Sequence, residues 1–435
     1  MEREKIHNIL NEELKVAIGC TEPIAIAYAA ALARNNLKGD GISSINVYAS
    51  KNVIKNAMGV TIPGTGSCGI PLAAALGAII GNSDKKLEVL ADLNDNYLKS
   101  AKAMINAGKV TFELTNSSKK LYIDVIIENE LSKSRAVIED THTNVTLIES
   151  NGKVIKNKVS NQKTDADQNI DLLNLDSIYQ FVEHVEIEKL GLVTQSIEMN
   201  LEICLEGLTN NYGLHVGKMI KSDVKNGILS GPISSYAVAL TAAGSDARMS
   251  GSSLPVISNS GSGNQGISAT IPVVVVAERL NTGKDKLLRA VTLSHLITIY
   301  IKSKFGRLSA LCGATISATG ASCGITYLLG GKKTEINAAI QNMLGNITGM
   351  LCDGAKPGCA LKIATCTSAA LQSAHMAVQG ICIKSTDGII ENDAEKTIEN
   401  FCRLGNSGMN EADDIILDIM LNKSADQKLD ANKWI

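Results

Sequence analysis

The sequence predicts an α+β fold: a mainly helical core with glycine-rich loops and an inserted small α+β domain. Two observations carry this. Alanine-rich, helix-compatible stretches fill both ends of the 435-residue chain, whereas period-two alternation takes over between about residues 85 and 163, where charge also rises. Gly reaches 37 residues while aromatics make up only 3%, so helices must pack backbone to backbone and the loops between them must turn sharply. Residues 1–84 read as the N-terminal part of the helical core, 85–165 as the insert and 166–435 as the main helical part; residues 44–50 can add a strand to the insert.

Residues 1–37 read as two helices meeting at Gly19-Cys20-Thr21-Glu22-Pro23, with Thr21 as cap and Pro23 in the first turn. Cys20 then either stands at a helix N-terminus, where the dipole lowers a thiol pKa, or merely packs in a bend. A short strand at 45–49 and a brief helix follow. The loop Pro63-Gly64-Thr65-Gly66 opens an apolar helix over 72–80, a geometry that receives a carboxylate and that equally suits a turn in a crowded core. A strand at 87–90 and a helix over 97–107 precede four alternating strands, at 110–114, 121–127, 135–139 and 144–148.

After a polar linker at 163–169, helices are expected over 175–189, 193–209 and 216–229. The loop between the last two carries His215, an acid–base candidate or a structural histidine. A Gly-Ser loop over 251–266 contains Ser260, Ser262, Asn264 and Gln265, whose hydroxyls and amides suit a small polar ligand. Helices follow over 284–304, 310–329, 336–350 and 359–379, with one or two more in 394–420.

Lys plus Arg number 42 against 44 acids, a net charge of -2 that favours neither nucleic acid nor a polybasic membrane contact. Residues 57–82, 249–277 and 308–331 carry no charge and are long enough to span a bilayer. Pro, Gly, Ser, Thr and Asn interrupt each of them, which a lipid-facing backbone could not tolerate, so they read as dry protein interior. With 10 cysteines and no N-terminal signal, the expectation is a cytoplasmic protein with reduced thiols. A homodimer is compatible with the sequence but not specified by it. Cys312, Cys352 and Cys359 lie in or beside glycine-rich breaks and suit a soft metal; the alternative is cysteines that only pack. The spacing from Cys352 to Cys359 is not that of a zinc knuckle.

Taken in order, Gly19-Cys20-Thr21-Glu22-Pro23, Pro63-Gly64-Thr65-Gly66, Ser260-Gly261-Ser262-Gly263-Asn264-Gln265-Gly266 and the three cysteines resemble the L-cysteine desulfidase family, a relative of the iron-sulfur L-serine dehydratases of alpha-chain type. The resemblance covers nearly the whole chain. It implies a helical catalytic core holding a [4Fe-4S] cluster that converts L-cysteine and water to pyruvate, ammonia and hydrogen sulfide. Cys312, Cys352 and Cys359 would ligate three irons, leaving the fourth open as a Lewis acid, with Cys20 as the basic thiolate. Thr65, Gly66, Ser260, Ser262, Asn264 and Gln265 would hold the substrate's carboxylate and ammonium. The rival readings are L-serine dehydration at the same cluster and an amino-acid-binding regulatory protein without one.

Overall fold

The computed structural model describes residues 2–158, 169–306 and 310–427. The chain starts with α1 (Glu2–Glu13), β1 (Leu14–Ile18), α2 (Thr21–Asn35), β2 (Ser44–Ala49), α3 (Lys51–Ala57), α4 (Ile70–Ile80) and α5 (Asp95–Asn106). Five strands follow: β3 (Val110–Leu114), β4 (Tyr122–Glu128), β5 (Lys133–Glu139), β6 (Val145–Ser150) and β7 (Lys153–Asn157). Next come α6 (Leu175–His184), α7 (Gly191–Thr209), α8 (Val216–Lys225), α9 (Pro232–Met249), β8 (Pro255–Asn259) and α10 (Gly263–Arg279). The chain closes with α11 (Lys284–Phe305), α12 (Gly313–Leu328), α13 (Lys333–Ile347), α14 (Cys359–Val378), α15 (Ala394–Arg403) and α16 (Asn410–Gln427). This is the expected α+β class, dominated by helix.

Alternation in β2 buries every second residue, so the strand has one apolar face. It sits in a six-stranded sheet of order β3-β2-β4-β5-β6-β7, parallel only between β2 and β3. That parallel pair requires a crossover, which α4 and α5 supply. The sheet's buried face shares one core with α2 and α4: Ile45, Val47, Ile123 and Val125 pack with Ala25, Ala29 and Leu76. Residues on both sides of position 85 therefore share this core.

A second core is built by α6 and α10–α15, with Ile257, Val273, Leu296, Ile316 and Phe401 among its members. Among the described residues no helix is long and apolar enough to cross a membrane.

Four local expectations are corrected. Residues 14–18 form a strand rather than part of a helical pair, because β1 bonds antiparallel to β8, with Leu14 opposite Asn259 and Ile18 opposite Pro255. Residues 87–90 form no strand; the chain turns through a short 3-10 segment with Lys86 at φ +48°. Part of the expected Gly-Ser loop is β8 and the first turn of α10. Helices α9 and α10 were not expected: α10 contains Pro272 and a run of β-branched residues, and burial on all sides outweighs that weak propensity. The expected linker at 163–169 lies outside the described residues except for Asn169.

The close packing anticipated from the small residues is explicit between α2 and α4, where a Cβ on Gly77 would fall 2.0 Å from the Ala27 carbonyl oxygen. Gly77→Ala should force these helices apart and lower stability by about 1–3 kcal/mol, read from the midpoint of chemical denaturation.

Candidate active site

Gly19 sets up the site. Its φ of +67° and the nearness of Pro63, 2.3 Å from where a Cβ would stand, admit only glycine. The chain can therefore turn from β1 straight into α2 and deliver Cys20, Thr21 and Glu22 to a cavity of about 120 Å³. The Glu22 carboxylate is buried there and well satisfied. The Cys20 Sγ donates to its Oε2 at 3.1 Å, the Thr21 hydroxyl at 3.2 Å, and Asn56 Nδ2 donates to Oε1 at 3.2 Å. His142 Nε2 lies 3.6 Å from the same Oε1. Burial pushes this carboxyl up, but His142 and the Cys20 thiol more than offset it and bring it to about 2.

Cys20 behaves contrary to the expectation of a lowered thiol pKa. It does precede α2, but burial first and the adjacent Glu22 charge second push its pKa well above the usual value, with Arg248 only partly opposing them. A helix N-terminus is a weaker influence than a neighbouring buried carboxylate. Cys20 rests as a thiol.

A second wall comes from the β8–α10 junction. Ser260, Ser262, Asn264 and Gln265 all line the cavity. Ser262 caps α10 by accepting from the Gln265 backbone N–H, and Ser260 donates to Asn259 Oδ1. Asn259 is in turn held by buried His295, which burial keeps neutral by lowering its pKa to about 3. Arg248, at the end of α9, reaches in beside this wall.

The third wall holds Cys312, Cys352 and Cys359. Leu311 and Leu351 form an isolated bridge, with Cys312 N–H bonded to the Met350 carbonyl and Cys352 N–H to the Ala310 carbonyl. The first two cysteines are thereby set side by side. Cys312 precedes α12 and Cys359 begins α14. The Cys352 thiol is lowered below its usual range, chiefly by hydrogen bonding from Cys312 and then by the Lys55 and Lys362 charges, while burial opposes. Lys356 pairs instead with Asp353 at 2.5 Å. Cys366 is buried against Met350 Sδ and does not line the cavity.

Three sequence candidates fall elsewhere. His215 is exposed, in a left-handed conformation ahead of α8, and does not line the cavity; its loop is anchored on Asp246 of α9 instead. The imidazole in the cavity belongs to His142, between β5 and β6. Thr65 turns its hydroxyl onto the Ile62 and Ser67 carbonyls of its own loop, and Gly66 is exposed. Neither reaches the cavity, because the tight turn consumes the loop's own polar groups. Glu22, Asn56, His142 and Arg248 were missed; only Glu22 had a signal, its place in the Cys20 motif.

The serine dehydratase alpha chain family matches residues 84–418, and the chain belongs to it. Over nearly its whole length it is also similar to proteins known as UPF0597. One from Clostridium perfringens is 47% identical over 427 residues, covering 98% of this chain and 100% of the relative. One from Phocaeicola vulgatus is 44% identical over 427 residues, covering 98% and 99%. Members of the family depend on an iron–sulfur group.

Among the described residues, no group of three or more His, Cys, Asp or Glu side chains could hold a single metal ion. The donors nonetheless fit a cluster in kind and placement. Three thiols from separate segments face one cavity, and Lys55 and Lys362 favour charge on Cys352. A polynuclear cluster presents its irons at separate corners, so its thiolates need not converge on one point.

Glu22→Gln should remove both the charge and the anionic acceptor that hold the proton on Cys20. The thiol pKa then falls, and alkylation of Cys20 by iodoacetamide, mapped by mass spectrometry across pH, should begin at lower pH than in the unmodified protein.

Proposed function

We propose that the protein is an iron–sulfur-dependent lyase that breaks L-cysteine down to hydrogen sulfide, ammonia and pyruvate. The observation that supports this most is that Cys20 and the three cysteines Cys312, Cys352 and Cys359 line a single cavity. Cys359 packs against the small buried cluster that contains Cys20, which brings a base and a ligand thiol to one part of the cavity.

When bound, a [4Fe-4S] cluster with one free iron supplies a Lewis acid that lowers the basicity of the leaving sulfur. The chain's own residues handle the proton. Glu22, ionised, accepts the hydrogen bond of the Cys20 thiol and holds that proton on sulfur, while Thr21 and Asn56 fix the carboxylate's orientation. The raised thiol pKa keeps the proton on sulfur at rest. It also makes the thiolate, once formed, a strong acceptor for the α-proton, a general-base contribution of about 10²–10⁴-fold. Loss of hydrosulfide leaves aminoacrylate, whose imine tautomer water hydrolyses to pyruvate and ammonia. The walls exclude bulk water from the proton transfer, with Cys20 only 5% exposed.

Family membership also favours L-serine dehydration at the same site. Hydroxide is the poorer leaving group, and the imidazole available to protonate it is His142 rather than His215.

Anaerobic purification should give about four irons per chain with matching acid-labile sulfide. Pyruvate should form from L-cysteine faster than from L-serine, and Cys20→Ala should abolish turnover while leaving the brown colour. Faster turnover of serine would replace the proposed substrate, and an iron-free anaerobic protein would remove the cluster reading altogether.

A further inference from the structure

Arg248 presents an unsolved charge. Its side chain is 3% exposed, and among the described residues no carboxylate pairs with it. Nη2 donates to the Gly19 carbonyl at 2.6 Å and Nη1 to Asn264 Oδ1 at 3.2 Å, whereas Nε has no partner. These two neutral acceptors hold the guanidinium still without neutralising it. A buried cation without a counter-charge is costly, and the cost is relieved when an anion binds. Gly263 is shaped to this arrangement, since a Cβ there would lie 2.2 Å from Nε.

A complementary vacancy stands beside it. Gln265 is 4% exposed and its Oε1 is buried without a donor. A Cβ on Gly313 would come within 3.2 Å of that oxygen, so α12 begins with glycine where the amide needs room. The cavity that holds the three thiols thus also offers a fixed cation and an unfilled acceptor.

We infer that Arg248 binds the α-carboxylate of the substrate and Gln265 Oε1 accepts from its α-ammonium, so that a free amino acid enters with its side chain toward the cysteine wall. This rests on the lyase reading above. Cys20 lines the same cavity as Arg248, Gln265 and Cys359. A carboxyl ester, which lacks the negative charge, is expected to bind more weakly than the free acid.

The test uses anaerobic holoenzyme and calorimetric binding of two fragments of L-cysteine. 3-Mercaptopropionate keeps the thiol and carboxylate, whereas cysteamine keeps the thiol and ammonium. Arg248→Lys and Arg248→Gln should weaken 3-mercaptopropionate by roughly 30-fold or more while leaving cysteamine nearly unchanged. Gln265→Met should do the reverse. A merely structural Arg248, holding the Gly19 carbonyl, would weaken both fragments together and would overturn the inference. The unmodified holoenzyme provides a check that needs no variant: L-cysteine methyl ester should compete with 3-mercaptopropionate less well than L-cysteine does, and equal competition overturns the assignment. Failure of the lyase reading appears separately, as no pyruvate from L-cysteine. The Arg248 dependence of fragment binding still decides the inference in that case.

Discussion

A carboxylate buried beside a thiol is the constraint on which the site depends. Glu22 is 6% exposed, and a charge so placed survives only with its oxygens satisfied. The partners come from separate parts of the chain: Cys20 and Thr21 at the start of α2, Asn56 in α3 and His142 between β5 and β6. Thr21 also donates to the Gly261 carbonyl at 3.0 Å, linking the same cluster to the β8–α10 junction. The strand-bearing half therefore does more than pack beside the helical half, because it supplies the imidazole facing Glu22.

The β1–β8 pair performs the matching task on the other side. Its register sets Ile18 opposite Pro255 and so brings the Gly19 turn near the end of α9, where Arg248 takes the Gly19 carbonyl. A one-residue slip would turn every side chain of β1 to the opposite face. His295 reinforces the far end of the pair through Asn259, and its neutrality lets it exchange hydrogen bonds with Ser196 and Thr270 as well. Polar networks of this kind specify one arrangement only when every member is satisfied. Arg248 Nε and Gln265 Oε1 are not satisfied within the chain, and neither is His142 Nε2 in the same cavity.

Legibility in the sequence followed the range of the interactions. Strands β3 to β6 announced themselves through alternation that is complete within each strand, and α5 or α14 through local helical pattern. Strand β1 did not, because its partner lies more than 200 positions away and its five residues contain no decisive pattern. Helices α9 and α10 are buried on nearly every side, so neither shows the apolar stripe that reveals a surface helix. The site divided in the same way. Glycine-flanked cysteines and the Ser260–Gln265 run were visible because composition marks them. His142 and Arg248 were not, since a single His in a turn and an Arg closing an unseen helix carry no local signature.

The thiol of Cys20 shows why position on a helix is an incomplete guide to reactivity. The helix N-terminus acts through partial charges about half an electronic unit in size, whereas Glu22 places a full charge at hydrogen-bonding distance from a buried thiol. The balance makes Cys20 a reluctant acid at rest, which suits a base better than a nucleophile. A readily ionised thiolate would be a weaker proton acceptor. Glu22 holds the proton on sulfur, because its charge raises the thiol's pKa while its own stays low.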